Sequence, residues 1–488
     1  KNTKNIVKNA QNIPLFGCPL EQKISEMNQL KSQGKIVASL AVICLDNPLV
    51  AATGDRICQD CAKACIFQQQ DPVDVPAVET LLLQEVLALP WGFDIYSLLR
   101  RWMPLSLTRW IPNTLSGNTF LVVGMGPSGF TLAHYLMNEG HHVVGVDGLK
   151  IEPLNTPFAP IFCVESDLWQ PLDTRVIEGF GGVAEYGITV RWDKNFLKII
   201  RLLLERRAQF RLMGGVRLGS QVSLEGALKL GFDHIALCLG AGKPHLPDFA
   251  TTLPPGVRLA SDFLMSLQLT GASKHNTLSA LEVELPALVV GAGLTAVDTA
   301  TEVMAYYPLQ VERFYERYEE LRASLSASEL KDLWPLDQQK KAELFLKHGK
   351  SVVEERALAL QENRPPRLRE LVQSWGGVSL IYRNSLQKSP SYALNHKELS
   401  HALQEGAVFL PEHVPEKMML DTLGHINELE VITPDRQYQF LSARSLFLAT
   451  GTAANTVLSQ EFPSQLTCSE GFFEHTHDFF VKTTPKFQ

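Results

Sequence analysis

The chain has no run of about 18 apolar residues, so no membrane-spanning helix is written in it. It has no basic excess: 45 Lys and Arg face 52 Asp and Glu, a net charge of -7, which argues against a dedicated nucleic-acid binder. Cysteine is scarce. Eight in 488 residues, unevenly spread, do not make the disulfide framework of a secreted protein. Short-period repeats and low-complexity tracts are missing too. The chain opens on Lys1 rather than Met and on no signal-peptide pattern, so it reads as a segment of something longer. What is present is an ordinary globular composition, 45% hydrophobic and 20% charged, with length for about three domains.

Three of the cysteines crowd together in TGDRICQDCAKACIF (53–67), at Cys58, Cys61 and Cys65. Thiols this close point to metal or cluster chemistry in an intracellular, cytoplasmic protein. Offsets of 0, 3 and 7 also fall on one helical stripe, so three cysteines on a buried helix face remain the alternative. A tetrahedral site or a cubane needs four ligands, and no fourth cysteine lies in this stretch.

Residues 1–90 read as helical, and 91–118, rich in Trp, Pro and Arg, as a connector. From Asn118 short β-branched runs alternate with Gly turns and helical periodicity, which implies α/β folding on a parallel sheet. The pattern starts twice, near residues 119 and 287. The charged stretch 319–376, broken by Pro335 and Pro365-Pro366, reads as a helical insert. The expected layout is a helical domain (1–90), the connector, one nucleotide domain (119–285 and 440–488) and a second nested within it (286–439).

The first start is TFLVVGMGPSGFTLAHYLMNEGHHVVGVDG (119–148). Gly124, Gly126 and Gly129 have GxGxxG spacing between a strand and a helix whose first turn carries Ser128. Gly124 permits the tight turn, Gly126 lets a pyrophosphate approach the backbone, and Gly129 lets helix and strand pack closely. The helix N-terminus offers free N–H groups to phosphate, and Asp147 ends the second strand where a carboxylate meets ribose hydroxyls.

The second start, ALVVGAGLTAVDTATEVMAYYPLQVERFYERYEEL, carries Gly291, Gly293, Thr295, Ala296 and Asp298. Its next strand is expected at Val311 to Tyr315, ending in Glu316 and Arg317. Two such units suggest the two-dinucleotide plan of flavoproteins, with flavin on the first and a nicotinamide cofactor on the second. FDHIALCLGAGKP (232–244), with Gly240, and SLFLATGTAANT (445–456), with Gly451, read as strands running into Gly turns that lead between the two units.

Taken with GCPLEQKISEMNQLKSQGKIVASL (17–40), the cysteine stretch, GGVAEYGI (181–188) and VVGAGLTAVDTA, the chain resembles the small subunit of bacterial glutamate synthase and the matching N-terminal half of dihydropyrimidine dehydrogenase. The resemblance covers nearly the whole chain outside the insert. It implies an N-terminal helical domain with [4Fe–4S] clusters, then FAD, then NAD(P)H. Hydride would enter from the nicotinamide, and electrons would leave singly through the clusters to a partner domain or subunit. Gly181 and Gly182 would lie beside the flavin, and Lys194 near it. No residue is assigned to catalysis.

By the same resemblance Cys18, Cys58 and Cys61 hold one cluster, completed by a side-chain oxygen at Glu79, and Cys65 serves another. Glu79 also reads as an ordinary first-turn glutamate. The chain departs from the family in three places that matter. Residues 1–17 lack the family's upstream cysteines, and the Gly-Asp flavin segment is not reached by Gln488, so both are expected outside this segment. Glu316, where relatives present Arg, favours NADH, although Arg313 or Arg317 could serve NADPH. No Cys-x₂-Cys or Cys-x₄-Cys lies near either Gly turn, which excludes the redox disulfide of thioredoxin reductase and lipoamide dehydrogenase. A ferredoxin–NAD(P) oxidoreductase and a redox-silent scaffold of the same fold stay open.

Overall fold

A computed structural model describes residues 18–474 apart from 54–59, 68–69, 71, 104, 106–110, 155, 172–174, 176–177, 188–192, 275–276, 327–328 and 331–333. The chain forms two units, 1–243 with 453–488, and 244–452.

In the first unit, α1 (Ile24–Ser32) and α2 (Ile36–Asp46) form a helical pair joined through Gly34. Short helices α3 (Val50–Thr53) and α4 (Asp60–Ala64) follow, then α5 (Val75–Leu87) and α6 (Gly92–Leu99). Asp74 caps α5 by accepting the Ala77 N–H at 3.2 Å, and Pro76 sits in its first turn, where no N–H is needed. β1 (Thr119–Val123), α7 (Pro127–Asn138) and β2 (His142–Asp147) form the first βαβ start. After them come α8 (Val164–Asp167), α9 (Val183–Tyr186), α10 (Asn195–Glu205), β3 (Phe210–Gly214), α11 (Leu224–Lys229) and β4 (His234–Leu237). The four strands make a parallel sheet in the order β3-β2-β1-β4.

The N-terminal helices have no core of their own. Leu40, Ile43, Leu82, Val86 and Phe93 share one apolar cluster with Val122, Phe130, Ile199 and Leu203. Arg100, the residue that ends α6, is fully buried there. It donates Nη1 to Nδ1 of His134 on α7 at 2.6 Å and Nη2 to the Leu203 carbonyl in the last turn of α10. Arg207, just past α10, donates to Oδ1 of Asn138, the last residue of α7, at 2.7 Å. Two buried cations thus meet the negative ends of three helices, which offset part of their desolvation cost.

In the second unit, β5 (Lys243–Pro244) marks where the chain crosses over. β6 (Val257–Leu259), α12 (Ala260–Leu269), β7 (Ala287–Val290) and α13 (Leu294–Arg322) follow. Helices Leu336–Gln361 and Leu368–Ser374 precede β8 (Val378–Tyr382), and helix Pro390–Gln404 precedes β9 (Val408–Pro411). β10 (Val414–Leu420), β11 (Ile426–Ile432) and β12 (Tyr438–Ser442) form a separate antiparallel sheet. The chain returns through β13 (Ser445–Leu448) to a parallel sheet ordered β6-β13-β7-β8-β9.

One expectation is corrected. Val311–Tyr315 is not a strand but part of α13, because Val311, Phe314 and Tyr318 repeat at helical spacing against helix Leu336–Gln361 and Trp334. The expected insert is the far end of α13 plus two helices, and the second strand is β8, about 65 residues later than expected. The units divide at 243/244 and 452/453, and β6 and β13 pair within the second sheet. No helix among the described residues is long and apolar enough to cross a membrane.

Candidate functional site

The two Gly turns are built alike. At the first, the Gly124 N–H donates to the Val146 carbonyl at 2.8 Å, and at the second, the Gly291 N–H donates to the Ile381 carbonyl at 2.9 Å. Both glycines have positive φ, +94° and +132°, and a Cβ on either would overlap a carbonyl oxygen, of Cys238 or of Ala449. Those carbonyls begin the turns after β4 and β13, each of which lies beside the strand entering its Gly turn. The glycines are therefore required by backbone packing before any ligand is considered.

Gly126 ends the first turn and begins α7, and Ser128 is exposed in the helix's first turn. Gly129 packs against the Gly124 carbonyl so closely that no Cβ fits. Gly181 and Gly182 face this turn, since a Cβ on Gly182 would lie 3.2 Å from the Gly126 Cα. Asp147 accepts the Met125 N–H at 2.8 Å and the Leu149 N–H at 2.9 Å, so the strand-end carboxylate braces the turn and keeps lone pairs to spare. Gly240 has positive φ and open space at its Cβ position. Two glycine backbones facing across an open helix N-terminus are what a pyrophosphate needs.

At the second turn Gly293 begins α13, with nothing within 4 Å of where its Cβ would be. Thr295 is exposed in the first turn, whereas Ala296 and Asp298 are buried, Asp298 completely. A second helix start lies close by: the Ser391 N–H, in helix Pro390–Gln404, donates to the Ala292 carbonyl at 3.0 Å. In the same unit Gly451 lies against His245. Glu316 and Arg317 ride on α13, away from any strand end. Arg317 donates to the Thr277 carbonyl at 2.5 Å and Arg313 to the Lys274 carbonyl at 2.8 Å. The residues that do follow the second strand are Arg383, exposed, and Asn384, which sequence reading missed because it stopped at the wrong apolar run.

Of the cysteine ligands, Cys58 lies outside the described residues. Cys61 hydrogen-bonds Cys18, and this contact, with backbone N–H groups of Leu20, Glu21 and Gln22, draws the Cys18 thiol down to about 6. Glu79 is 8% exposed on α5. Burial, and then the charge of Cys18, push its carboxyl up to about 7, with Gln22 hydrogen-bonding it. Cys18 thus hydrogen-bonds Cys61 and lies near Glu79. Cys65 accepts the Phe67 N–H at 3.4 Å. Among the described residues no group of three His, Cys, Asp or Glu side chains stands ready to hold a metal ion.

No protein-family model matches the chain. An uncharacterized protein of Rickettsia prowazekii is 43% identical over 382 residues, 78% of this chain and 52% of that protein. The small chain of NADPH glutamate synthase from Mycobacterium tuberculosis is 27% identical over 237 residues, 46% of this chain and 37% of that one. The chain thus spans about half or less of the length of these curated relatives. Among solved structures, the oxidoreductase FprA of Mycobacterium tuberculosis aligns at 13% identity and a TM-score of 0.41, covering 69% of this chain and 71% of its own. An amine oxidase of Pseudomonas geniculata aligns at 13% identity and a TM-score of 0.43, covering 91% of this chain and 47% of that one. At these scores the structural likeness decides nothing about chemistry.

Proposed function

We propose that the chain is a flavin- and nicotinamide-dependent oxidoreductase, similar to the glutamate synthase small chain, that passes electrons to a partner domain or subunit. The observation that carries this is the twin construction of the two Gly turns, one in each unit. Gly124, Gly126, Ser128 and Gly129 would receive the FAD pyrophosphate, Asp147 its ribose, and Gly181 and Gly182 would border its ring-bearing half. Gly291, Gly293, Thr295 and the start of α13 would receive the nicotinamide dinucleotide. Bound flavin supplies hydride acceptance and one-electron release, and the protein binds, orients and keeps water out.

The register of β8 favours NADPH. Tyr382, one residue past the Ile381 carbonyl, occupies the position that Asp147 holds past Val146, so no carboxylate meets a ribose diol there. Arg383 follows it and suits a 2′-phosphate. The expectation of NADH rested on Glu316 at a strand end and loses its basis in α13.

For the cluster, Cys18, Cys61 and Glu79 would serve as ligands with Cys58. A low Cys18 thiol suits thiolate ligation of iron, and a buried carboxyl beside it suits a fourth, oxygen position. Titration of the purified chain with FAD, followed by flavin fluorescence, tests the first assignment. Saturable quenching by the wild type, lost in Gly124→Ala, is expected, and no quenching by the wild type would refute it.

A further inference from the structure

Among the described residues between Gln170 and Gly187 there is one short helix, α9, and these residues carry Gly181 and Gly182 to Gly126. Backbone without ladder partners has to be held by side chains. Three clasps come from α10 and its cap. Asn195 donates to the Gln170 carbonyl at 2.9 Å and accepts the Gln170 N–H at 3.2 Å. Arg201 pairs with Glu178 at 3.0 Å. Lys194, buried, donates to the carbonyls of Ala184 and Glu185.

A fourth clasp is internal to the segment. Arg175 donates Nη1 to Oε1 of Glu185 at 2.7 Å and Nη2 to Oε2 at 3.0 Å. The two side chains are only 7% and 1% exposed. A bidentate pair fixes orientation as well as distance. Removing either partner leaves an uncompensated buried charge, so the pair has to form if the segment is to close. Glu185 also donates its backbone N–H to the Gly182 carbonyl at 2.9 Å, which ties the residue that carries the pair to the glycine turn. That turn has no slack: a Cβ on Gly181 would lie 2.8 Å from Leu197 Cδ2. Phe180, just before it, stacks on Phe130 of α7 at 5.9 Å.

We propose that Arg175 and Glu185 are positioning residues for the dinucleotide at the first Gly turn. Their ion pair closes the segment that sets Gly181 and Gly182 opposite Gly126. The proposal rests on the flavin reading given above. Pairs at this depth are absent from the glycine pattern and would be recognised only through the contact itself.

The test compares the wild-type chain with Arg175→Lys, Glu185→Gln and the double variant. FAD affinity, the visible circular dichroism of bound flavin, and protease cleavage between residues 170 and 187 are read on each. Arg175→Lys keeps the charge and loses the fork, so it stays folded while binding FAD about tenfold more weakly and with altered visible dichroism. Glu185→Gln loses more, about a hundredfold, and opens the segment to protease. The double variant is expected to lose less than the sum of the two. Wild-type affinity and an unchanged flavin signal in both single variants would overturn the proposal. A wild-type chain that takes up no FAD would refute the flavin reading instead. The protease arm then judges the clasp alone: cleavage in the variants only upholds it, and equal resistance overturns it.

Discussion

The Gly291 N–H donates to the Ile381 carbonyl at 2.9 Å, as the Gly124 N–H does to that of Val146 at 2.8 Å. This equivalence fixes which residue in the second unit stands where Asp147 stands in the first. It is Tyr382, with Arg383 next. Arg383→Ala should therefore weaken NADPH binding about tenfold or more and leave NADH binding nearly unchanged, since one charge-assisted contact to a phosphate is worth roughly 1.5–3 kcal/mol. Calorimetric titration with each nucleotide checks this. Glu316→Ala should change neither.

Gly291→Ala should abolish nicotinamide-nucleotide binding while leaving flavin in place, and Gly124→Ala should do the reverse. Each added methyl meets a carbonyl oxygen and each residue has positive φ, so the turn has to open. Flavin absorbance and nucleotide titration on the two variants separate the two losses.

Arg100→Met should destabilise the first unit by about 1–3 kcal/mol, with Arg100→Lys recovering part of it. The guanidinium answers His134 and the end of α10 together, and methionine leaves the Leu203 carbonyl without that donor. Urea unfolding at neutral pH measures the difference.

His348 stacks on Trp375 at 4.0 Å and meets the Tyr307 hydroxyl at 2.7 Å. Burial, helped by the Lys347 charge, holds its imidazole down to about 4 against an ordinary 6.5. The unfolded chain takes up the proton first, so stability from neutral His348 is complete above pH 6.5 and declines as pH falls from 6.5 to 4. Denaturant midpoints between pH 4 and 7 should slope less in His348→Gln than in the wild type.

Much of this was legible in the sequence because the Gly turns obey local rules. Gly124, Gly126 and Gly129 follow an apolar strand directly, and a parallel sheet with helices follows from such alternation. The second strand was misread because VERFY offers β-branched and aromatic residues in a short run, while its true partner lies past a helical insertion that periodicity does not measure. Cys18 and Glu79 were named from a resemblance, and only the fold brings Cys18 to Cys61 and Glu79 near Cys18. The Arg175–Glu185 and Arg100–His134 contacts join residues 10 and 34 positions apart through buried charge, which composition and spacing do not encode.

The most direct test of the account is anaerobic titration of the purified, FAD-loaded chain with NADPH, followed at the flavin absorbance band near 450 nm. The account predicts bleaching of the band at about one equivalent of NADPH, lost in Gly291→Ala and requiring more nucleotide in Arg383→Ala. A flavin band that stays unbleached by both NADPH and NADH in the wild type would contradict it.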